Sequence, residues 1–178
     1  MVYVILVEGF EEIEAVYPID VLRRCGVQVK TVGMEEFVTG SNGITIKTDM
    51  SIDNIEIGNN NIALLLLPGG PGRVNLKKPK PFALIKHCFE NDVPIAAICG
   101  TPEILGESGL LKGRKVTCYP GLQSKLIGAE YIDQPVVVDG NLITAQGAGC
   151  SEAFAFAVAE FLCGKEKADT ISEKMICR

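Results

Sequence analysis

Three short apolar runs constrain this chain more than anything else in it. Val2–Val7, Ile62–Leu67 and Pro94–Ile98 are close to unbroken, and each meets a glycine two residues past its end. A strand wet on one face alternates polar and apolar residues. An unbroken run marks a strand covered on both faces, as in the parallel sheets of α/β proteins. Between the runs the spacing turns helical. Phe10–Cys25 carries Ile13, Val16, Tyr17 and Val21, with Gly26 as a stop and Pro18 predicting a kink or an offset start. Phe82–Asn91 and the Ala- and Phe-rich Ser151–Cys163, ended by Gly164, read as further helices. Val27–Val32 reads as a second strand and Ile44–Thr48 as an edge or excursion strand. Val136–Val138 and Leu142–Ala145 flank Asp139-Gly140-Asn141, a hairpin turn. Strands alternating with helices predict an α/β sandwich around a mainly parallel sheet. No repeat or linker divides the sequence, so a single domain over residues 1–178 is expected.

Composition narrows the function classes. A chain of 178 residues buries roughly 70% of its unfolded surface and needs no covalent staple. Trp is absent and aromatics are 6%, so the core is aliphatic. The net charge of −5 and the lack of any basic block beyond Lys77, Lys78 and Lys80 argue against a nucleic-acid partner. The apolar runs are too short to span a bilayer, and Met1–Val7 lacks the basic start of a signal peptide. Seven cysteines form no CxxC pair and His87 is the single histidine, so neither a disulfide framework nor a zinc cluster is indicated. The expectation is a cytoplasmic protein with reduced thiols, no metal, no cofactor and no membrane partner.

Sites in open α/β sheets form at the carboxyl ends of strands. Three such ends stand out: Glu8-Gly9-Phe10-Glu11-Glu12-Ile13-Glu14, Pro68-Gly69-Gly70-Pro71-Gly72 and Ile98-Cys99-Gly100-Thr101-Pro102. The last combines a strand, a tight turn and a helix start with Thr101 as cap and Pro102 at the first position, the layout of a nucleophile elbow with Cys in place of Ser. The helix end is expected to lower the Cys99 pKa and favour the thiolate. Gly100 and the Gly69-Gly70 turn can offer N–H groups for an oxyanion. Most free cysteines are core fillers, so the local pattern leaves both readings of Cys99 open. Glu11, Glu12 and Glu14 read either as solvated first-turn acids or as one neutral acid donating to sulfur, and spacing does not choose among them.

Gly9-Phe-Glu-Glu-Ile-Glu14, Pro18-Ile-Asp-Val-Leu-Arg-Arg24, Leu67-Pro-Gly-Gly70, Ile95-Ala-Ala-Ile-Cys99, Lys115-Val-Thr117 and Gly147-Ala-Gly149, taken together, resemble the ThiJ/PfpI superfamily, most of all its Parkinson's-associated deglycase branch. The resemblance runs over nearly the whole chain. It implies a flavodoxin-like fold, a homodimer, a reactive cysteine at Cys99, a pocket glutamate at Glu14, an oxyanion N–H from Gly70, and Arg24 near the pocket and dimer face. It also implies chemistry on small reactive carbonyls or their adducts, of the glyoxalase or deglycase kind. The alternative is a redox-responsive or chaperone-like role with Cys99 as the oxidation sensor.

Two positions depart from the pattern. Gly100 stands where the protease-like branch has His, which disfavours peptidase activity. Tyr119, in Val116-Thr-Cys-Tyr-Pro120, stands where the deglycase branch has His. A phenol is a poor base at neutral pH, so Tyr119 is expected to orient rather than shuttle protons. His87, mid-helix, is read as a surface or half-buried residue. Cys118 and Cys150 are read mainly as fillers, with a resolving thiol as the sharper alternative. Cys25, Cys88, Cys163 and Cys177 are read as packing or exposed thiols.

Overall fold

The computed structural model describes residues 1–58 and 62–177. Its strands are β1 (Val2–Leu6), β2 (Val29–Gly33), β3 (Phe37–Thr39), β4 (Thr45–Lys47), β5 (Met50–Ser51), β6 (Leu64–Leu67), β7 (Ile95–Ile98), β8 (Lys115–Val116), β9 (Glu130–Tyr131), β10 (Val136–Asp139) and β11 (Leu142–Ala145). The α-helices are α1 (Glu12–Arg24), α2 (Pro79–Glu90), α3 (Thr101–Glu107), α4 (Ser151–Cys163) and α5 (Lys165–Met175).

Seven strands form one sheet in the order β10-β11-β7-β6-β1-β2-β5. Every pairing in it is parallel except β10 with β11, the hairpin expected at Asp139-Gly140-Asn141. The unbroken apolar runs β6, β7 and β1 lie side by side in the middle, where both faces are covered. Residues alternate between those faces. Val2, Val4 and Leu6 of β1 join the core under α1, α4 and α5, whereas Ile5 and Val7 join the core under α2 and α3. The result is a three-layer α/β sandwich, and its central order β2-β1-β6-β7-β11 is that of flavodoxin-like folds.

Some local expectations need correction. α1 runs unbroken through Pro18 instead of starting after it. Pro18 lacks the N–H that would bond the Glu14 carbonyl one turn back, and the packed underside of the helix tolerates that loss. The excursion strand β4 is real, but its partner β3, which pairs with it antiparallel, carries no clear alternation. Thr101 does not cap α3. The cap position falls on Gly100, and the buried Thr101 Oγ1 donates instead to the Pro68 carbonyl at 2.7 Å. That bond ties the start of α3 to the end of β6. The polar helix α5, with Ala168 and Ile171 buried, has no counterpart among the expected elements.

Candidate active site at the Cys99 elbow

The carboxyl ends of β1, β6 and β7 are neighbours, so the three glycine-bearing turns converge. This is the point where the strand order reverses, the usual place for a site in such sheets. Cys99 follows β7 directly and has φ +65°, a left-handed conformation rare for a side chain other than glycine. Its N–H donates to the Ala145 carbonyl at 2.9 Å, and its carbonyl accepts from the Tyr119 N–H at 2.7 Å. Held from both sides, the strained elbow turns the half-buried thiol toward the β6 turn.

Glycine is required around that thiol. A Cβ on Gly69 would meet Cys99 Cβ at 2.6 Å and Glu14 Oε2 at 2.7 Å. Gly70 has φ +93°, and its N–H and that of Gly100 lie close enough to the Cys99 sulfur to pull its pKa down. All the groups expected at the elbow from β6, β7 and α1 are therefore brought together.

The acidic run separates into three roles. Glu11 caps α1, its Oε2 accepting from the Glu14 N–H at 2.9 Å. Glu12 is buried and accepts from the Asn42 N–H at 2.7 Å, Asn42 Nδ2 at 2.9 Å and the Ile44 N–H at 3.3 Å. It clamps the turn between β3 and β4. Glu14 is fully buried beneath the pocket. Its Oε2 accepts from the Gly69 N–H at 2.8 Å, and the carboxyl lies beside the Cys99 thiol across Gly69. The remaining oxygen, Oε1, is buried with no hydrogen-bond partner among the described residues.

Electrostatics correct the simple expectation of a lowered thiol pKa. Burial pushes the Glu14 carboxyl up to about 7. Burial and the facing Glu14 charge push the Cys99 thiol up to about 12, against the pull of the Gly70 and Gly100 N–H groups. Both groups resist ionising together, so the two values belong to the pair rather than to either residue. From about 7 upward the pair holds one proton and one negative charge. With that proton on Glu14 Oε1, the thiolate faces a hydrogen-bond donor instead of an anion.

Above the thiol lies a cavity of about 450 Å³ lined by Gly70, Arg73, Cys99, Gly100, Tyr119 and Leu122 among others. Tyr119 stands at its rim, 52% exposed. Arg73 and its partner Glu103, at 2.8 Å, were not evident from the sequence. Arg73 follows a glycine turn and Glu103 reads as an ordinary first-turn acid, so only the fold brings them together. Arg24 pairs with Asp20 on the exposed side of α1 and does not line the cavity. His87 on α2 bonds Asn91 and is also absent from the lining. Cys118 is buried in the α2–α3 core, its thiol donating to the Tyr119 carbonyl at 3.4 Å, and burial and the Glu103 charge push it up to about 11. Cys150 is half-buried at the start of α4, and Cys25 and Cys163 face each other.

A doubly wound sheet with a strained cysteine elbow between glycine turns and a buried carboxyl beside it defines a flavodoxin-like protein with a cysteine centre. The DJ-1/PfpI family profile matches residues 1–161, and the chain belongs to that family. It is 38% identical over 173 residues to Protein DJ-1 homolog B of Arabidopsis thaliana, which covers 94% of this chain but only 39% of that protein. It is 38% identical to Deglycase PfpI of Pyrococcus furiosus, over 79% of this chain and 86% of that one. The structure of oxidized Toxoplasma gondii DJ-1 superposes with a TM-score of 0.91 at 32% identity, covering 98% of this chain and 97% of that one. Among the described residues no helix is long and apolar enough to cross a membrane.

Proposed function

We propose that the chain is a cysteine-dependent enzyme acting on small reactive carbonyls or their adducts, in the manner of a glyoxalase or deglycase. The observation that carries this reading is the Cys99 thiol at the floor of an open cavity with the buried Glu14 carboxyl beside it. One carboxyl oxygen is held by the Gly69 N–H and the other is without a partner among the described residues. Cys99 Sγ attacks the aldehyde carbon of a 2-oxoaldehyde, forming a C–S bond and moving the carbonyl π pair onto oxygen. The N–H groups of Gly70 and Gly100 hold the developing oxyanion. Glu14 then gives its proton to that oxygen, leaving a hemithioacetal and a carboxylate able to act as base. The carboxylate takes the proton from the former aldehyde carbon to give an enediol and returns it to the neighbouring carbon, while the hydroxyl proton passes from the first oxygen to the second. Water cleaves the resulting thioester to the 2-hydroxy acid and frees the Cys99 thiol. Tyr119, whose backbone fixes the Cys99 carbonyl, orients the substrate from the rim without shuttling protons.

The names of the deglycase relatives agree with this reading. Its test is conversion of methylglyoxal to lactate followed by NMR. Cys99→Ala is expected to abolish turnover, and equal rates in Cys99→Ala and wild type would overturn the assignment. We infer also that two copies pair through α1, whose Ile13 and Val16 are 53% and 46% exposed on its outer side.

A further inference from the structure

We propose that Arg73 makes the Cys99 pocket selective for small carbonyl compounds that carry a carboxylate beside the carbonyl, 2-oxo acids of the size of glyoxylate. The proposal rests on the reading of Cys99 as the reacting group and adds to it the kind of molecule the pocket prefers. Among the described residues lining the cavity, Arg73 alone carries a charge. Its neighbours there are glycines, prolines, Leu122, Tyr119 and Cys99 itself.

The guanidinium is held in place. Its Nε and Nη2 both donate to Glu103 Oε2, at 3.1 and 2.8 Å, and Nη1 lies 3.4 Å from the Gly70 carbonyl. It also rests directly on the residue after the thiol. A Cβ on Gly100 would come within 2.4 Å of Arg73 Nε, so the glycine that departs from the protease-like pattern is also what admits the cation. Side-chain exposures of 23% for Arg73 and 15% for Glu103 put the pair in a partly desolvated place, where charge-assisted bonds are stronger than in open water. Arginine carries five N–H donors in a rigid fork, and these three contacts leave two of them without a partner among the described residues.

At neutral pH the Glu14–Cys99 pair carries one negative charge, which by itself repels an anionic substrate. Glu103 balances the formal charge of Arg73, so the fork holds a carboxylate through its remaining charge-assisted N–H donors and not through an excess of positive charge. When Sγ adds to the carbonyl carbon of a 2-oxo acid, a C–S bond forms, the π pair moves to oxygen, and Glu14 supplies the proton. The carboxylate sits one carbon away from that centre. Gly100 is likewise next to Cys99 in the chain and lies under Arg73, and Cys99 and Arg73 line the same cavity, so the proposal places the carboxylate against the fork.

The test compares alkylation of Cys99 by iodoacetate and iodoacetamide, near-isosteric reagents that differ in charge, with the modified peptide followed by mass spectrometry. The iodoacetate-to-iodoacetamide rate ratio is expected to exceed that of free 2-mercaptoethanol. It is expected to fall about 5–10-fold in Arg73→Gln and to be partly restored in Arg73→Lys, as befits a bidentate charge contact. A ratio equal to that of 2-mercaptoethanol and unchanged by Arg73→Gln overturns the proposal. A Cys99 inert to both reagents refutes the nucleophile reading instead, and the carboxylate site is then judged by a second measurement. Glycolate titrated into Cys99→Ser protein is expected to shift the Gly70 and Gly100 amide resonances, and Arg73→Gln to abolish the shift. Shifts that are absent, or the same in both proteins, refute the carboxylate site.

Discussion

The proposed chemistry depends on one proton shared by two residues. The Glu14–Cys99 pair loses its first proton near 7, against an ordinary 4.5 for a glutamate, so that loss opposes folding. The contribution of the fully protonated pair is present below 4.5 and is lost as pH rises through about 7. Glu14→Gln keeps an oxygen for the Gly69 N–H but cannot ionise. Thermal denaturation across pH should therefore show the variant gaining on wild type from pH 4.5 upward, reaching about 3 kcal/mol above pH 7. A gap that does not change with pH would refute a buried neutral carboxyl. The elbow at Cys99 was legible in the sequence as a strand, a tight turn and a helix start, although that pattern alone left a reactive thiol and a core filler both open. Glu14 was legible only through the family resemblance. Spacing places Glu11 and Glu14 on one side of a helix, and only the turn into α1 makes Glu11 a cap and Glu14 a pocket residue.

At the scale of elements, the β3–β4 hairpin is joined to α1 by a single carboxylate. Burial raises the Glu12 pKa, but the donors from Asn42 and Ile44 outweigh it and hold the group below the usual range. Its contribution is accordingly present above the ordinary 4.5 and disappears as pH falls through the depressed value. Glu12→Ala strands two backbone N–H groups and is expected to cost roughly 2–3 kcal/mol. Hydrogen exchange at Asn42 and Ile44 should accelerate before that of β1, and exchange rising evenly through the sheet would contradict a local clamp. The clamp was not legible in the sequence, where Glu12 reads as a first-turn acid facing water. β3 escaped notice for a related reason. Its ends Phe37 and Thr39 are exposed or half-exposed and only Val38 is buried, so it lacks the apolar signal that identified β1, β6 and β7.

For the whole molecule, the most legible feature was that β1, β6 and β7 are covered on both faces of a mainly parallel sheet, since their apolar runs are unbroken. Arg73 was the least legible, because it meets Gly100 and Glu103 only when β6 and β7 are side by side. The proposed pairing through α1 predicts sedimentation at twice 19.1 kDa for wild type and at 19.1 kDa for the double variant Ile13→Glu, Val16→Glu. A monomeric wild type would rule it out. Cys99 and Glu14 are proposed to form one reactive unit, and the pH dependence of Cys99 alkylation by iodoacetamide tests this directly. In wild type the rate should rise with a midpoint near 7 and then level off, as the pair loses its first proton. In Glu14→Gln it should keep climbing at higher pH, because a buried thiol is left to ionise alone. Identical profiles in the two proteins, rising without a plateau like a free thiol, would contradict the account.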